Sequence, residues 1–331
     1  MSGTAAPARR ARGLPGLAPL VGFGMRHRVL GTWLALAALP LLLPSTALAT
    51  SVVAYGLYAL GFNLLFGWGG LLSFGHAALL GGGAYATGIA VVHYGAPWWA
   101  AILAAPVAGA LVAFLMGALA VRTRGIYFAM VTLALSQCAY YIAHQAVDWT
   151  GGENGLRGVN LRVVALPFGA ALDGLDPRVR YGLVAACAGL AVTAVSRVID
   201  SPFGAALAAL RENEARARAC GYDVRAVRLL AFVLSGAVCG LAGGLLAVHL
   251  SVVPVETMHY ATSGLAVMLA ILGGMHSFFG PFAGAAAFLL LESAVARWTE
   301  HWPLFAGAVF VLCVLFFREG IWGTLVSWLR R

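Results

Sequence analysis

The stretch that decides the fold runs from Ser201 to Ala247 and has the sequence SPFGAALAALRENEARARACGYDVRAVRLLAFVLSGAVCGLAGGLLA. Its first half is charged, with apolar residues at helical spacing beneath the charges. Its second half belongs to an apolar run, Leu229 to Leu250, that is long enough to cross a membrane as a helix. A polar surface element is therefore followed almost directly by a membrane span.

The charged half carries the signals that begin and end a helix. Ser201 is a favourable N-cap, and Pro202 costs nothing at the first helical position because its missing N–H would have no partner there. Gly221 suits the left-handed conformation that closes many helices. We therefore predict one helix from about Pro202 to Cys220, followed by a second, shorter helix that Asp223 caps.

The predicted helix is amphipathic. Glu212 with Arg216, and Glu214 with Arg218, stand four residues apart in the order that favours ion pairs. The apolar residues beneath them are Phe203, Ala206, Leu207 and Leu210. Such a segment is either a surface that binds a partner or a solvated connection between spans that fixes their orientation.

The bulk composition identifies an integral membrane protein. The chain has 331 residues, of which 61% are hydrophobic and 10% charged, and its mean hydropathy is +0.89, so it has too little polar surface for a soluble globule. It contains no Lys, which excludes a phosphate-loop lysine or a Schiff-base lysine in this chain. Any ATP chemistry must therefore come from another subunit.

The net charge of +9 comes from arginines in short loops rather than along one basic face, which favours contact with membrane lipid over nucleic acid. The five cysteines have no CxxC spacing, and we interpret them as small core residues. The sequence lacks a nucleophile elbow, an HExxH motif and a pair of catalytic carboxylates, so it predicts neither a catalytic residue nor a metal site.

Hydropathy predicts an all-α, polytopic membrane protein of about ten spans, some of them broken by glycines. The spans are about 29–49, two within 50–93 joined by a turn at 67–70, 97–121, 124–143, 181–198, 229–250, 261–275, 278–296 and 303–317. Residues 1–28 are predicted to be a disordered cytoplasmic arm, 29–318 the transmembrane domain and 319–331 an interfacial helix. The segment 46–49 imitates a signal-peptide cleavage site, but the first span is expected to be retained.

The arginines test this topology. With both termini in the cytoplasm, the proposed cytoplasmic segments hold 16 of the 21 arginines. Residues 199–227 then form a cytoplasmic loop, and 145–180 a loop on the outer side. The outer loop contains turn-forming Gly-Gly and Asn-Gly pairs within 148–156.

Several strings resemble one family. They are Asn213-Glu214-Ala215, Gly221, 230–235 (LAFVLS), 240–243 (GLAG), 55–67 (YGLYALGFNLLFG), 71–78 (LLSFGHAA) and 124–134 (RGIYFAMVTLA). Together they are similar to the permease subunits of ATP-binding-cassette importers, and most of all to the branched-chain amino acid permeases. The family pattern has Ala at the position of Arg216.

The resemblance implies a machine of several subunits in a bacterial inner membrane. This chain would pair with a homologous permease subunit, two cytoplasmic ATPase subunits and a periplasmic solute-binding protein. Residues 199–227 would be the coupling loop, in which Asn213, Glu214, Ala215 and Gly221 contact the ATPase. The chain itself would bind no cofactor, since ATP and Mg belong to the partner ATPases.

Polar residues near glycines mark a candidate translocation pathway. Asn63, Ser73 and His76 flank the first glycine break, and Glu292 lies within an apolar run, where a charge is expensive unless it faces protein or water. The sequences at 69–74 and 273–278 both have the pattern GGxxSF, which predicts an internal repeat. His76 is not expected to bind a metal, because no other ligand stands at suitable spacing.

The outer loop is the candidate docking site for the binding protein. Its turn chemistry and mixed charges suit a polar docking rim. The residues concerned are Asp148, Gly151, Gly152, Glu153 and Asn154.

The sequence leaves the solute open. Branched-chain amino acids are the first expectation, and related permeases that carry urea or short amides are the alternative. A secondary transporter driven by an ion gradient, which the broken spans and Glu292 alone would allow, is the rival from another class.

Overall fold

The structure is a computed structural model that describes residues 28–160, 163–165, 171–174, 176–275, 277–298, 301–316 and 320–329. The predicted disordered arm therefore lies outside the described residues, apart from Arg28, which begins the first helix. The helices are α1 (Arg28–Leu42), α2 (Thr46–Asn63), α3 (His76–Val92), α4 (Trp98–Ala120), α5 (Ile126–Gln145), α6 (Val147–Thr150), α7 (Pro177–Ile199), α8 (Pro202–Glu212), α9 (Glu214–Ala219), α10 (Val224–Leu250), α11 (Tyr260–Gly273), α12 (Gly280–Val295), α13 (Trp302–Phe316) and α14 (Gly320–Leu329).

Ten of these helices are apolar enough to lie in a membrane, which confirms the all-α polytopic fold. Five are also long enough to cross it: 46–68, 98–120, 126–145, 177–199 and 224–250. The other five have 10–17 residues. At 1.5 Å per residue, a helix of 14 to 17 residues is about 21–26 Å long and does not span a hydrocarbon core of about 30 Å unaided. A short helix can therefore cross the membrane only together with the non-helical segments beside it.

Helix α10 is the centre of the bundle and packs against α2, α3 and α4. Its glycines allow close approach, because a Cβ on Gly240 would collide with the backbone of α4 at Ala105 and Gly109. A Cβ on Gly243 would likewise meet the backbone of α3 at Leu80. Small residues at helix crossings are the usual means of tight packing in membranes.

Short β-ribbons involve the predicted outer loop. Strand β1 (Leu156–Arg157) pairs antiparallel with β4 (Val252–Val253), which follows α10 directly. Strand β2 (Val163–Ala165) pairs with β3 (Ala171–Asp173). The first ribbon ties the loop to the end of the central helix.

The prediction of one span over 29–49 is wrong. Helix α1 ends at Leu42 and α2 begins at Thr46, with Ser45 as N-cap, its hydroxyl accepting a hydrogen bond from the Leu48 N–H at 3.2 Å. Pro44 explains the break, because it disfavours helical geometry at the residue before it and has no N–H to continue the ladder. The segment that imitates a cleavage site is the first turn of α2.

The prediction of one helix from Pro202 to Cys220 is also wrong. The chain is extended at Asn213 (φ −158°, ψ 102°), which ends α8 and caps α9 by accepting a hydrogen bond from the Arg216 N–H at 3.0 Å. A short polar side chain that bonds the following backbone competes with helix continuation. Asp223 is an N-cap as predicted, but the helix it begins is the 27-residue α10 and not a short one.

Both predicted glycine breaks are present. Residues Leu64–Trp68 form a π-helical turn after α2, and Gly70 follows with φ +67°. The second break follows α11, where Gly274 has φ +110°. Positive φ values of this kind favour glycine over residues with a Cβ. The internal repeat itself remains a prediction.

The last helix packs on protein. Helix α14 begins at Gly320, whose Cβ would collide with Gly273 and Gly274 of the second break, and Trp322 lies 5.5 Å from Phe279, centroid to centroid. Contact with the bundle therefore holds the predicted interfacial helix.

The expectation that all cysteines are core residues is wrong for two of them. Cys239 is buried, whereas Cys138 and Cys220 are exposed.

Candidate functional site

The α8–α9 hairpin, residues 202–219, is attached to the bundle by its apolar side. Leu207 is fully buried in the main core, and Leu210, Ala217 and Val224 form a smaller buried cluster beneath the hairpin. Its other side is exposed, including Glu212, Asn213, Ala215 and Arg216. The hairpin is thus a docked element with a free polar face rather than a loose connection.

Glu214 is the electrostatic centre of the hairpin. Its carboxylate pairs with Arg218 at 2.8 Å, with Arg228 at 2.7 Å and with Arg124 at 3.2 Å. Arg228 belongs to α10, and Arg124 lies between α4 and α5. One carboxylate therefore joins α9 to two other parts of the bundle. The predicted pair of Glu214 with Arg218 is present, whereas the break at Asn213 separates Glu212 from Arg216.

The turn after α9 depends on Gly221. Its φ is +90°, its N–H donates to the Arg218 carbonyl at 3.0 Å, and the Tyr222 N–H donates to the Ala217 carbonyl at 3.2 Å. These bonds satisfy carbonyls at the helix end. A Cβ on Gly221 would meet nothing within 4 Å, so the backbone conformation alone selects glycine here.

Arg211 links the hairpin to the first glycine break. Its guanidinium donates a hydrogen bond to the carbonyl oxygen of Gly67, and the side chain of Leu207 lies 3.1 Å from the position a Cβ would take on Gly69. Sequence reasoning missed Arg211, because a surface arginine in a charged helix gives no sign of the carbonyl it reaches.

The two glycine breaks contact each other. The Asn63 amide donates to the Ser277 carbonyl at 3.4 Å, and a Cβ on Gly67 would collide with the Met275 carbonyl oxygen. The Asn63 side-chain oxygen is buried without a hydrogen-bond partner in the described chain. The hairpin, the first break and the second break therefore form one continuous series of contacts.

Side chains from two other helices, and one from the break itself, satisfy the backbone of the first break. Thr132 of α5 accepts from the Phe74 N–H at 3.2 Å, and Ser263 of α11 accepts from the Ala77 N–H at 2.9 Å. Ser73 accepts from the Gly75 N–H at 3.1 Å. Non-helical backbone at membrane depth requires such internal partners.

His76 is fully buried where three helices meet. Its Nε2 lies 2.9 Å from the Ser235 hydroxyl of α10, and that hydroxyl donates to the Gly61 carbonyl of α2 at 2.6 Å. The ring also packs edge-on against Phe62 and Phe232. Asn63, Ser73 and His76 thus all lie in the packed interior around the break. Their place in a translocation pathway remains a prediction.

Glu292 lies apart from this cluster. It lines a groove of about 500 Å³ between α11, α12 and α13, together with Tyr55, Met268, Phe288 and Gly307. The groove is otherwise mainly apolar, and the carboxylate is only partly buried. The predicted pathway residues therefore fall into two separate places.

The outer loop presents the predicted docking residues on a fixed frame. Asp148, Glu153 and Asn154 are exposed, whereas Gly152 is buried. The frame comes from Thr150, whose hydroxyl donates to the Ala143 carbonyl at 2.6 Å and accepts from the Gly152 N–H at 3.2 Å.

Glycines shape the turn of this loop. Gly151 and Gly152 have φ values of +77° and +57°. A Cβ on Gly151 would also collide with the Gly155 carbonyl, so this turn requires glycine by conformation and by space.

The loop and the hairpin lie at opposite ends of α10. Asp223 caps the end beside the hairpin, and β1 of the loop pairs with β4 just past the other end. A 27-residue helix is about 40 Å long. The two polar surfaces are therefore a full membrane thickness apart.

Comparison with known proteins gives the family. A family described as "Branched-chain amino acid transport system / permease component" matches residues 45–314. The chain belongs to this permease family. The matched range contains both glycine breaks, the hairpin, the outer loop and Glu292.

Curated relatives agree with this assignment. The permease is 29% identical over 292 residues to the high-affinity branched-chain amino acid transport system permease protein LivM of Escherichia coli K12, a match that covers 83% of this chain and 69% of that protein. It is 28% identical over 295 residues to LivM of Salmonella typhimurium LT2, with 84% and 69% covered. A shorter match, 36% over 97 residues, is to the probable branched-chain amino acid transport permease protein LivH of Methanocaldococcus jannaschii and covers 28% and 29%. No solved structure matches the permease significantly.

Proposed function

We propose that this permease is the membrane-spanning subunit of an ATP-driven, binding-protein-dependent importer for branched-chain amino acids. Its partners would be a homologous permease subunit, two cytoplasmic ATPase subunits that bind ATP and Mg, and a periplasmic binding protein. The chain would lie in a bacterial inner membrane with both termini in the cytoplasm. The family assignment supports this proposal, and so does the separation of the hairpin and the outer loop along α10.

The contact between Arg211 and Gly67 is the observation that supports a coupling role for the hairpin. The hairpin is rigidly attached through Leu207 and Glu214, and its exposed face carries Asn213 and Ala215. A push on that face would reach the first glycine break through Arg211 and the second break through Asn63 and Ser277. The first break precedes the short helix α3, and the second follows the short helix α11. Backbone at such a break can change conformation while the full-length helices stay intact.

The outer loop is the proposed docking site for the binding protein. Its exposed polar residues stand on a frame fixed by Thr150 and by the pairing of β1 with β4. A binding protein seated there would act on the end of α10 opposite to the ATPase.

Reconstitution tests the proposal. The permease, its partner permease, the ATPases and the binding protein are placed in proteoliposomes, and uptake of leucine, isoleucine, valine and urea is measured. We expect ATP- and binding-protein-dependent uptake of the three amino acids. Uptake that follows an imposed ion gradient without ATP would instead indicate a secondary transporter, and uptake of urea alone would place the permease with the urea and short-amide importers.

A further inference from the structure

A recess rich in arginine lies where the hairpin meets the ends of α4 and α10. Its volume is about 400 Å³. Its arginines come from three segments: Arg122 and Arg124 after α4, Arg218 on α9, and Arg225 and Arg228 on α10. Five arginines therefore line one small recess.

Positive charge exceeds negative charge in this recess. The carboxylates that line it belong to Glu214 and Asp223. Glu214 is already shared by three arginines, and Asp223 accepts hydrogen bonds from the Arg225 and Ala226 N–H groups at 3.0 and 3.2 Å. The side chains of Arg122 and Arg225 make no ion pair within the part of the chain that the structure describes. A net charge of about +3 favours an anion, and guanidinium groups match the geometry of phosphate.

The position of the recess decides which anion fits. It begins at Val121, directly after the apolar helix α4, and Leu111, Leu115 and Leu119 form an exposed stripe along that helix at 58%, 59% and 55% exposure. The stripe leads to Arg122. Because Arg122 stands three residues beyond Leu119, it lies on the same side of the helix end. On α5, Ile126 and Met130 are exposed beside the same corner.

We propose that the recess binds the phosphate-bearing headgroup of an anionic phospholipid, whose acyl chains lie along the exposed stripe of α4. A soluble phosphate would fit the charge but would make no use of the apolar stripe. A basic pocket at a membrane–water boundary, with an exposed apolar helix face leading from it, suits a lipid that carries both features.

The bound headgroup also has a consequence for α9. Its phosphate would lie beside Arg218 and Arg228, the arginines that hold Glu214, so lipid binding and the position of α9 are linked. This consequence rests on the proposed coupling role of the hairpin, whereas the binding site itself does not.

The test measures lipid retention on the full-length permease purified with its partner subunits. Native mass spectrometry after titration with phosphatidylglycerol or phosphatidylcholine gives the binding of an anionic and a zwitterionic lipid. We expect phosphatidylglycerol to bind more tightly. The variant R122Q/R225Q should weaken its binding by roughly five-fold for each arginine removed. The variant R122K/R225K keeps the charge but not the guanidinium geometry, so it should weaken binding less than R122Q/R225Q does.

The control R197Q/R216Q removes the same charge from exposed arginines that do not line the recess. It should retain phosphatidylglycerol like the parent protein. Equal loss in the control would show attraction to the whole surface and overturn the specific site. If inorganic phosphate at millimolar concentration binds in the recess and displaces phosphatidylglycerol, the recess is a soluble-anion site and the lipid proposal is overturned.

Another result would reassign the recess to a protein partner. If R122Q/R225Q keeps its phosphatidylglycerol but loses the ATPase subunits on purification, the arginines face the ATPase and the lipid proposal fails. Lipid retention does not require transport, so failure of the lipid site and failure of the importer assignment give separate results.

Discussion

The guanidinium of Arg211, on the hairpin, donates a hydrogen bond to the main-chain carbonyl of Gly67, in the π-helical turn of the first glycine break. The two residues are 144 positions apart in the sequence. This bond joins the surface proposed to meet the ATPase to backbone in the interior of the bundle. It therefore makes Arg211 the first residue at which coupling can be tested.

Replacing Arg211 should uncouple ATP hydrolysis from transport. R211A removes a charge-assisted hydrogen bond, which contributes about 1.5–3 kcal/mol, and leaves the Gly67 carbonyl without this partner. We expect ATPase subunits to co-purify normally while ATP-dependent uptake falls about ten-fold or more. R197A, an exposed arginine at the end of α7, is the control and should transport normally. Undiminished uptake by R211A would remove this contact from the coupling pathway.

Replacing Gly221 should disturb the turn between α9 and α10. Its φ of +90° costs a residue with a Cβ roughly 1 kcal/mol or more, and a β-branched residue the most. G221A should therefore reduce uptake and recovery of the ATPase in a pull-down, and G221V should reduce both further. Insertion should be normal in each, because open space surrounds the site. G182A, also in open space but within a helix, is the control. Normal coupling in G221V would contradict the proposed role of the turn.

Reversing the charge of Glu214 should release α9 from the bundle. E214R removes three ion pairs and adds a fourth positive charge among Arg124, Arg218 and Arg228. We expect normal membrane insertion, loss of uptake and weak recovery of the ATPase. E212R changes an exposed carboxylate that makes no ion pair within the described chain, and should have a smaller effect. If the two variants behave alike, general surface charge and not the ion-pair cluster is responsible.

Two substitutions of Glu292 test whether its carboxylate has a role in transport or subunit pairing. E292Q keeps the shape and removes the charge, whereas E292L would suit a site that faces lipid. We expect both variants to insert. E292L should assemble or transport less well than E292Q, since it removes the one ionisable carboxylate among the residues that line the groove between α11, α12 and α13. Assembly and uptake by E292L equal to those of the parent would exclude a role in transport or subunit pairing.

Cysteine labelling tests which polar surface faces outward. In a background without the five native cysteines, N154C should react with an impermeant thiol reagent in intact cells, because Asn154 is exposed on the outer loop. A215C, exposed on the hairpin at the other end of α10, should react only after permeabilisation. The reverse pattern would invert the proposed topology.

The sequence alone determined the class of protein and many of its local features. Long apolar runs without lysine leave a membrane as the suitable environment for most of the chain, and this result does not depend on how the helices pack. Gly221 and the break at Gly70 were predictable because a positive φ is a property of one residue and its neighbours. Asp223 was likewise predictable as a helix cap, although not the length of the helix.

The tertiary structure decided which of these features act together. The break at Asn213 was missed because its propensity to cap competes with a strong helical pattern, and contacts made by each half of the hairpin settle that competition. Local sequence carries no information on the bond between Arg211 and Gly67, on the contact of Asn63 with Ser277, or on the ion pairs of Glu214 with Arg124 and Arg228. These contacts join residues far apart in the chain, and they exist only because close packing of α10 against its neighbours brings the distant segments to one place.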